Sequence, residues 1–89
     1  MRAVWKYPLP LIEGAFHVYD IPDGIVRLVG EQSCTIMMWV EVDPEAPPTR
    51  RTFQIVGTGH PEIDEGFVYL GTVQIGMFVW HVYETTERK

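Results

Sequence analysis

Two glycines flank a threonine and a histidine follows in Gly57-Thr58-Gly59-His60, at the end of the apolar run Phe53-Gln54-Ile55-Val56. Without a Cβ, Gly57 and Gly59 let the backbone turn tightly or come close to a ligand. Thr58 and His60 then present a hydroxyl and an imidazole beside backbone N–H donors, a combination suited to phosphate or ribose. The same residues also suit an exit turn in which Thr58 and His60 satisfy their own backbone. Arg50 and Arg51 stand at the other end of the segment. In a strand they point to opposite faces, and Arg51 shares its face with Phe53 and Ile55. A guanidinium grips phosphate or carboxylate through two bonds. The competing role for Arg51 is a surface pair with Asp43 or Glu45.

The other candidates are aromatic and imidazole groups. Trp5 and Trp80 are expected on terminal strands, where one of them stacks on a base or meets a second subunit. His81 lies between Trp80 and Val82 and is expected to be half-buried and hydrogen-bonded. No His-x-His or His-x-x-x-His spacing occurs, so no metal site is expected. The only serine, Ser33, sits in a polar turn, and Asp64 and Glu65 have no nucleophile beside them. Binding without catalysis, and without a cofactor, is the expectation.

Strands must position these groups, because the chain shows apolar alternation and almost no helical periodicity. The pattern predicts strands over Arg2–Tyr7, ended by Pro8-Leu9-Pro10, and over Ala15–Ile21. Pro22-Asp23-Gly24 reads as the turn of a hairpin with Ile25–Val29 as its return strand. Cys34–Val42 is the most apolar strand, with Ile36, Met38, Val40 and Val42 on one face. Asp43 to Pro48 reads as an exposed loop, Arg51–Gly57 as a strand and Thr58–Gly66 as a loop. Phe67–Ile75 and Met77–Glu84 form a last hairpin around Gly76, and 85–89 is a polar tail. The fold class expected is a single all-β domain over 1–89, a small antiparallel β-sandwich or open barrel of about seven short strands.

Bulk composition narrows the partners. The chain has 89 residues, 46% hydrophobic, enough for one core. Its formal net charge of −5 argues against nucleic acid, which needs a basic footprint. A few arginines in one pocket still suit a small anionic ligand. Small β-rich chains often gain stability by self-association, so a homo-oligomer is expected. Cys34 is the only cysteine and is expected as a small core residue. No apolar leader opens the chain and no run is long enough to span a bilayer, so a cytoplasmic setting off the membrane is expected.

Trp5-Lys6-Tyr7-Pro8-Leu9, Val42-Asp43-Pro44, the Arg51 to Pro61 stretch, Tyr69-Leu70-Gly71-Thr72-Val73 and Val79-Trp80-His81-Val82-Tyr83-Glu84 together resemble a family of small phage and prophage proteins of unknown function. Ile-Val-Gly-Thr-Gly-His-Pro is the most specific block, and the resemblance spans nearly the whole chain. It implies a phage origin and expression inside a bacterial cell. By analogy of class, the chain is similar to phage sponges of the Sequestin and Lockin kind, which sequester nucleotide immune signals. The expected ligand is then a cyclic ADP-ribose-type molecule or a cyclic dinucleotide. Arg51, Thr58, Gly59 and His60 would hold phosphate and ribose, with Trp5, Trp80 and His81 nearby. The alternatives are a protein-binding accessory or inhibitor module and a signal-cleaving hydrolase using His60 or His81.

Overall fold

The computed structural model describes residues 1–12, 16–59, 63 and 66–85. Seven strands follow in order: β1 (Ala3–Leu9), β2 (Phe16–Pro22), β3 (Ile25–Gln32), β4 (Thr35–Val42), β5 (Pro48–Gly57), β6 (Val68–Ile75) and β7 (Phe78–Thr85). Every pairing is antiparallel. The strands form a three-stranded sheet, β1-β4-β3, and a four-stranded sheet, β2-β5-β7-β6. Among the described residues no strand ladder joins the two sheets, so the fold is a small β-sandwich rather than a closed barrel.

Alternation along each strand explains the layering. In β4, Ile36, Met38, Val40 and Val42 are fully buried, while Thr35, Met37, Trp39 and Glu41 stand on the outer face. From β1 comes Leu9, and from the other sheet come Ile21, Phe53, Val73 and Val82. Each fully buried aliphatic side chain of this set contributes about 1.5–3 kcal/mol. Strand β3 packs over β6, the edge strand of the opposite sheet. Gly71 makes that approach possible, since a Cβ there would stand 3.0 Å from Val29 Cβ.

Four expectations need correction. Pro8 does not end the first strand; β1 continues to Leu9 with Pro8 opposite Met37. An edge strand tolerates proline, because one side of its backbone needs no partner. Pro22-Asp23-Gly24 does not join a hairpin, since β2 and β3 belong to different sheets. Asp23 has a φ of 48°, and the chain crosses there from one layer to the other. A Cβ on Gly24 would lie 2.4 Å from Ile21 Cγ2 and 2.6 Å from Val40 Cγ1, so the crossing runs against the core.

The true hairpin joins β3 to β4 through Ser33 and Cys34, with φ of 55° and 62°. Positive φ at both central residues is the geometry that matches strand twist. Cys34 is therefore exposed in a turn and not part of the core. Finally, β7 lies between β5 and β6, so Trp80 is not on an edge strand. Only Thr85 of the expected polar tail is described, and it closes β7.

Candidate functional site

The two central strands of the four-stranded sheet, β5 and β7, carry polar groups on both faces. Arg51, Phe53 and Ile55 point inward, as do Trp80, Val82 and Glu84. Thr52, Gln54 and Val56 point outward together with Val79, His81 and Tyr83. The two faces differ in what their polar groups have left to offer.

On the inner face Arg51 is fully engaged. Its Nε and Nη2 donate to the two Glu84 carboxylate oxygens at 2.7 Å each, and Nη1 donates to the Gly24 carbonyl at 2.6 Å. The guanidinium also stands 5.9 Å from the centre of the Phe53 ring. The hydrogen bonds it donates to Glu84 hold the Arg51 pKa above its usual value, against the opposing effect of burial. Tyr7 and Tyr19 pack with ring centres 5.0 Å apart, and burial raises both phenols. The cluster clamps the crossover at Gly24 to the last strand and presents no open donor pair. Arg50, on the outer face, reaches Asp20 at 4.0 Å.

On the outer face four side chains from three consecutive stretches make one hydrogen-bonded chain. Thr58 Oγ1 lies 2.9 Å from His81 Nε2, and Thr72 Oγ1 lies 3.0 Å from His81 Nδ1. The Tyr69 hydroxyl meets Thr72 Oγ1, and Thr58 Oγ1 donates to the Val79 carbonyl at 3.2 Å. With Thr58 donating to the carbonyl and the imidazole neutral, each hydrogen is used once: Tyr69 donates to Thr72, Thr72 to Nδ1, and Nε2–H to Thr58. A neutral imidazole satisfies every link. The Tyr69 side chain stands exposed at the end of the array, and its oxygen has no further partner among the described residues. Gly59 continues the chain past Thr58 with a φ of 91° and open space where a Cβ would be.

This direction bears on chemistry. A threonine, a histidine and a third group in a row suggest an activated nucleophile. Here the Thr58 proton goes to a backbone carbonyl, and His81 donates toward Thr58 instead of accepting from it. The third group is a hydroxyl and not a carboxylate. With its donors spent on one another, the arrangement offers lone pairs and is suited to accepting hydrogen bonds from ligand hydroxyls.

Tyr69 reaches this array because of a bulge. Residues three apart in a regular strand face opposite sides. The β6–β7 register shifts between Tyr69 and Gly71, which returns Tyr69 to the face of Thr72. Beside the array runs a row across all four strands, with Phe16 opposite Gln54, Gln54 opposite Tyr83 and Tyr83 opposite Tyr69. Tyr83 lies edge-on to Tyr69, ring centres 5.6 Å apart, and 6.2 Å from Phe67. Val56, on this outer face and outside the main core, is only 1% exposed. Next to it, Gln54 Oε1 is buried with no hydrogen-bond partner among the described residues. Such an acceptor costs about 1–3 kcal/mol while it stays unpaired.

Of the residues the sequence singled out, Thr58 and His81 come together, with Gly59 adjoining them. Arg51 lies on the opposite face, and so does Trp80, packed against the core. Trp5 sits on β1 of the other sheet, opposite Val40 and 40% exposed. His60 lies outside the described residues. Thr72, Tyr69, Tyr83 and Gln54 were not foreseen. Thr72 was within reach of sequence reasoning, since counting back from a two-residue turn at Gly76-Met77 pairs it with His81.

Among the described residues no group of three or more His, Cys, Asp or Glu is placed to hold a metal ion. None of their helices is long and apolar enough to cross a membrane. No curated protein and no solved structure matches the chain. A family model described as a domain of unknown function, DUF7352, matches residues 1–89, and the chain belongs to that family.

Proposed function

We propose that the protein binds a small nucleotide-type ligand on the outer face of the four-stranded sheet and holds it without chemical change. One observation carries this reading: the Thr58–His81–Thr72–Tyr69 array, open at the Tyr69 end and bordered by tyrosines. Hydroxyls and an imidazole with open lone pairs suit ribose hydroxyls, and the tyrosines supply ring faces for a base. Arg51 is not assigned to the ligand, because Glu84 and the Gly24 carbonyl occupy it. Joined to the resemblance to small phage proteins, this is the role of a sponge in the cytoplasm of an infected bacterium.

The ligand test is a thermal-shift panel of cyclic dinucleotides, ADP-ribose and its cyclic isomers. A ligand at about 100 times its Kd stabilises the native state by about 2.7 kcal/mol. One compound should raise Tm clearly and return intact after denaturation. His81→Ala and Thr58→Ala should each weaken its binding at least tenfold. A flat panel, or recovery of cleaved product, defeats the proposal.

Self-association belongs to the same proposal and has its own support. Val4, Ile25 and Leu28 are exposed on the outer face of the three-stranded sheet, around half-buried Met37 and Trp39. Glu41 separates Val4 from Ile25, but the strip from Leu28 through Trp39 to Met37 is apolar and suits a second copy. Sedimentation should give a mass above one chain, and Leu28→Glu should return the monomer; a monomeric wild type removes this part alone.

A further inference from the structure

We infer that Gln54 reads the base of the ligand and selects an adenine-type edge, one that offers an N–H donor beside a ring-nitrogen acceptor. The inference rests on the proposed nucleotide site and adds a specificity residue to it. Gln54 stands between Phe16 and Tyr83 in one row, and Tyr83 is followed in that row by Tyr69. The Gln54 side chain is half-buried, and its carbonyl oxygen is buried without a donor among the described residues. Buried side-chain polar atoms nearly always have a partner, so an unpaired one marks a place where a partner is expected.

The spacing fits one nucleotide. Tyr83 and His81 are two residues apart on β7, about 6.7 Å along the strand. That separation places a base over the aromatic row while its sugar meets the Thr58–His81–Thr72–Tyr69 array. A carboxamide offers one acceptor and two donors, and it pairs with adenine through both N6–H and N7. Hypoxanthine has the same shape and ring stacking, with a carbonyl where adenine has its amine. Against that base the Gln54 oxygen would face another acceptor and remain unpaired. Sites with a buried polar group reject such analogues far more strongly than sites that sense shape alone.

The test is the affinity of the full chain for ADP-ribose and for inosine-diphosphate-ribose, measured by titration calorimetry. Wild type should prefer the adenine compound at least tenfold. Gln54→Leu should lower its affinity to that of the hypoxanthine compound, while His81→Ala should weaken both equally. Equal wild-type affinity for the two compounds overturns the role of Gln54 and leaves the proposed site standing. No binding of either compound overturns this inference, and the proposed site falls with it only when the cyclic dinucleotides also fail to bind. The wild-type comparison needs no variant, so it holds even if Gln54→Leu fails to fold.

Discussion

Arg51 and His81 lie on adjacent strands of one sheet, and their surroundings are opposite in kind. Arg51 faces inward, is tied by three hydrogen bonds to Glu84 and Gly24, and closes the connection between the two layers. His81 faces outward, is held by hydroxyls, and sits in an array with an open end. The charged group is the structural one and the neutral chain is the available one. Residue type alone would rank them the other way, since arginine is the stronger phosphate ligand. What separates them is whether the protein itself already supplies the complementary group.

The comparison can be broken most severely at the shared inner face. Phe53 is fully buried, and Phe53→Ala should cost about 3–5 kcal/mol, read from denaturant midpoints at unchanged slope. Arg51→Ala comes next. The Arg51 and Glu84 side chains are only 20% and 21% exposed. Removing one partner of so enclosed a pair should cost about 3 kcal/mol. The double change Arg51→Met with Glu84→Leu should recover more than half of that loss, because no unpaired charge then remains. If Arg51→Ala leaves stability intact yet abolishes ligand binding, the assignment of the two faces is reversed.

Changes to the outer array should have the inverse profile. Thr72→Ala and Tyr69→Phe should each alter stability by less than about 1 kcal/mol, as partly exposed hydrogen bonds do. Ligand affinity should fall at least tenfold for Thr72→Ala, with a smaller loss for Tyr69→Phe.

The smallest effect is a pH dependence on the inner face. Burial lowers the His17 pKa below its usual 6.5, and a hydrogen bond involving Pro10 opposes this only partly. Below that value the unfolded chain takes up a proton more readily than the folded one, so stability falls. Tm should therefore drop on acidification from pH 7 to pH 5, and His17→Asn should flatten the slope.

Much of the architecture could be read from alternation, and the failures have physical causes. The faces of β2 and β4 follow from the period of two, because buried and exposed residues there separate cleanly. Pro22-Asp23-Gly24 has the composition of a hairpin turn, but composition specifies a change of direction and not the partner of the next strand. Ser33 was read in a polar turn, but Ser33-Cys34 adopts positive φ without glycine or asparagine, so its residue types did not announce a tight hairpin. The face of Arg51 was legible in principle. It alternates with Phe53 and Ile55, and the fully buried Phe53 marks the core side. The array was half legible: Thr58 and His81 drew notice as residue types, while Tyr69 depended on a register shift.

That shift makes strand pairing, as well as residue identity, a determinant of the array. Deleting Leu70 would leave almost the whole composition in place and restore regular pairing in β6. Tyr69 and Thr72 would then stand two apart in a regular strand and would still share the outer face. What would break the array is regular pairing at the present length, which would put Tyr69 and Thr72 on opposite faces. Related sequences that lose one position between these two residues should therefore keep the ligand of this protein, while those that keep the spacing and lose the bulge should diverge from it.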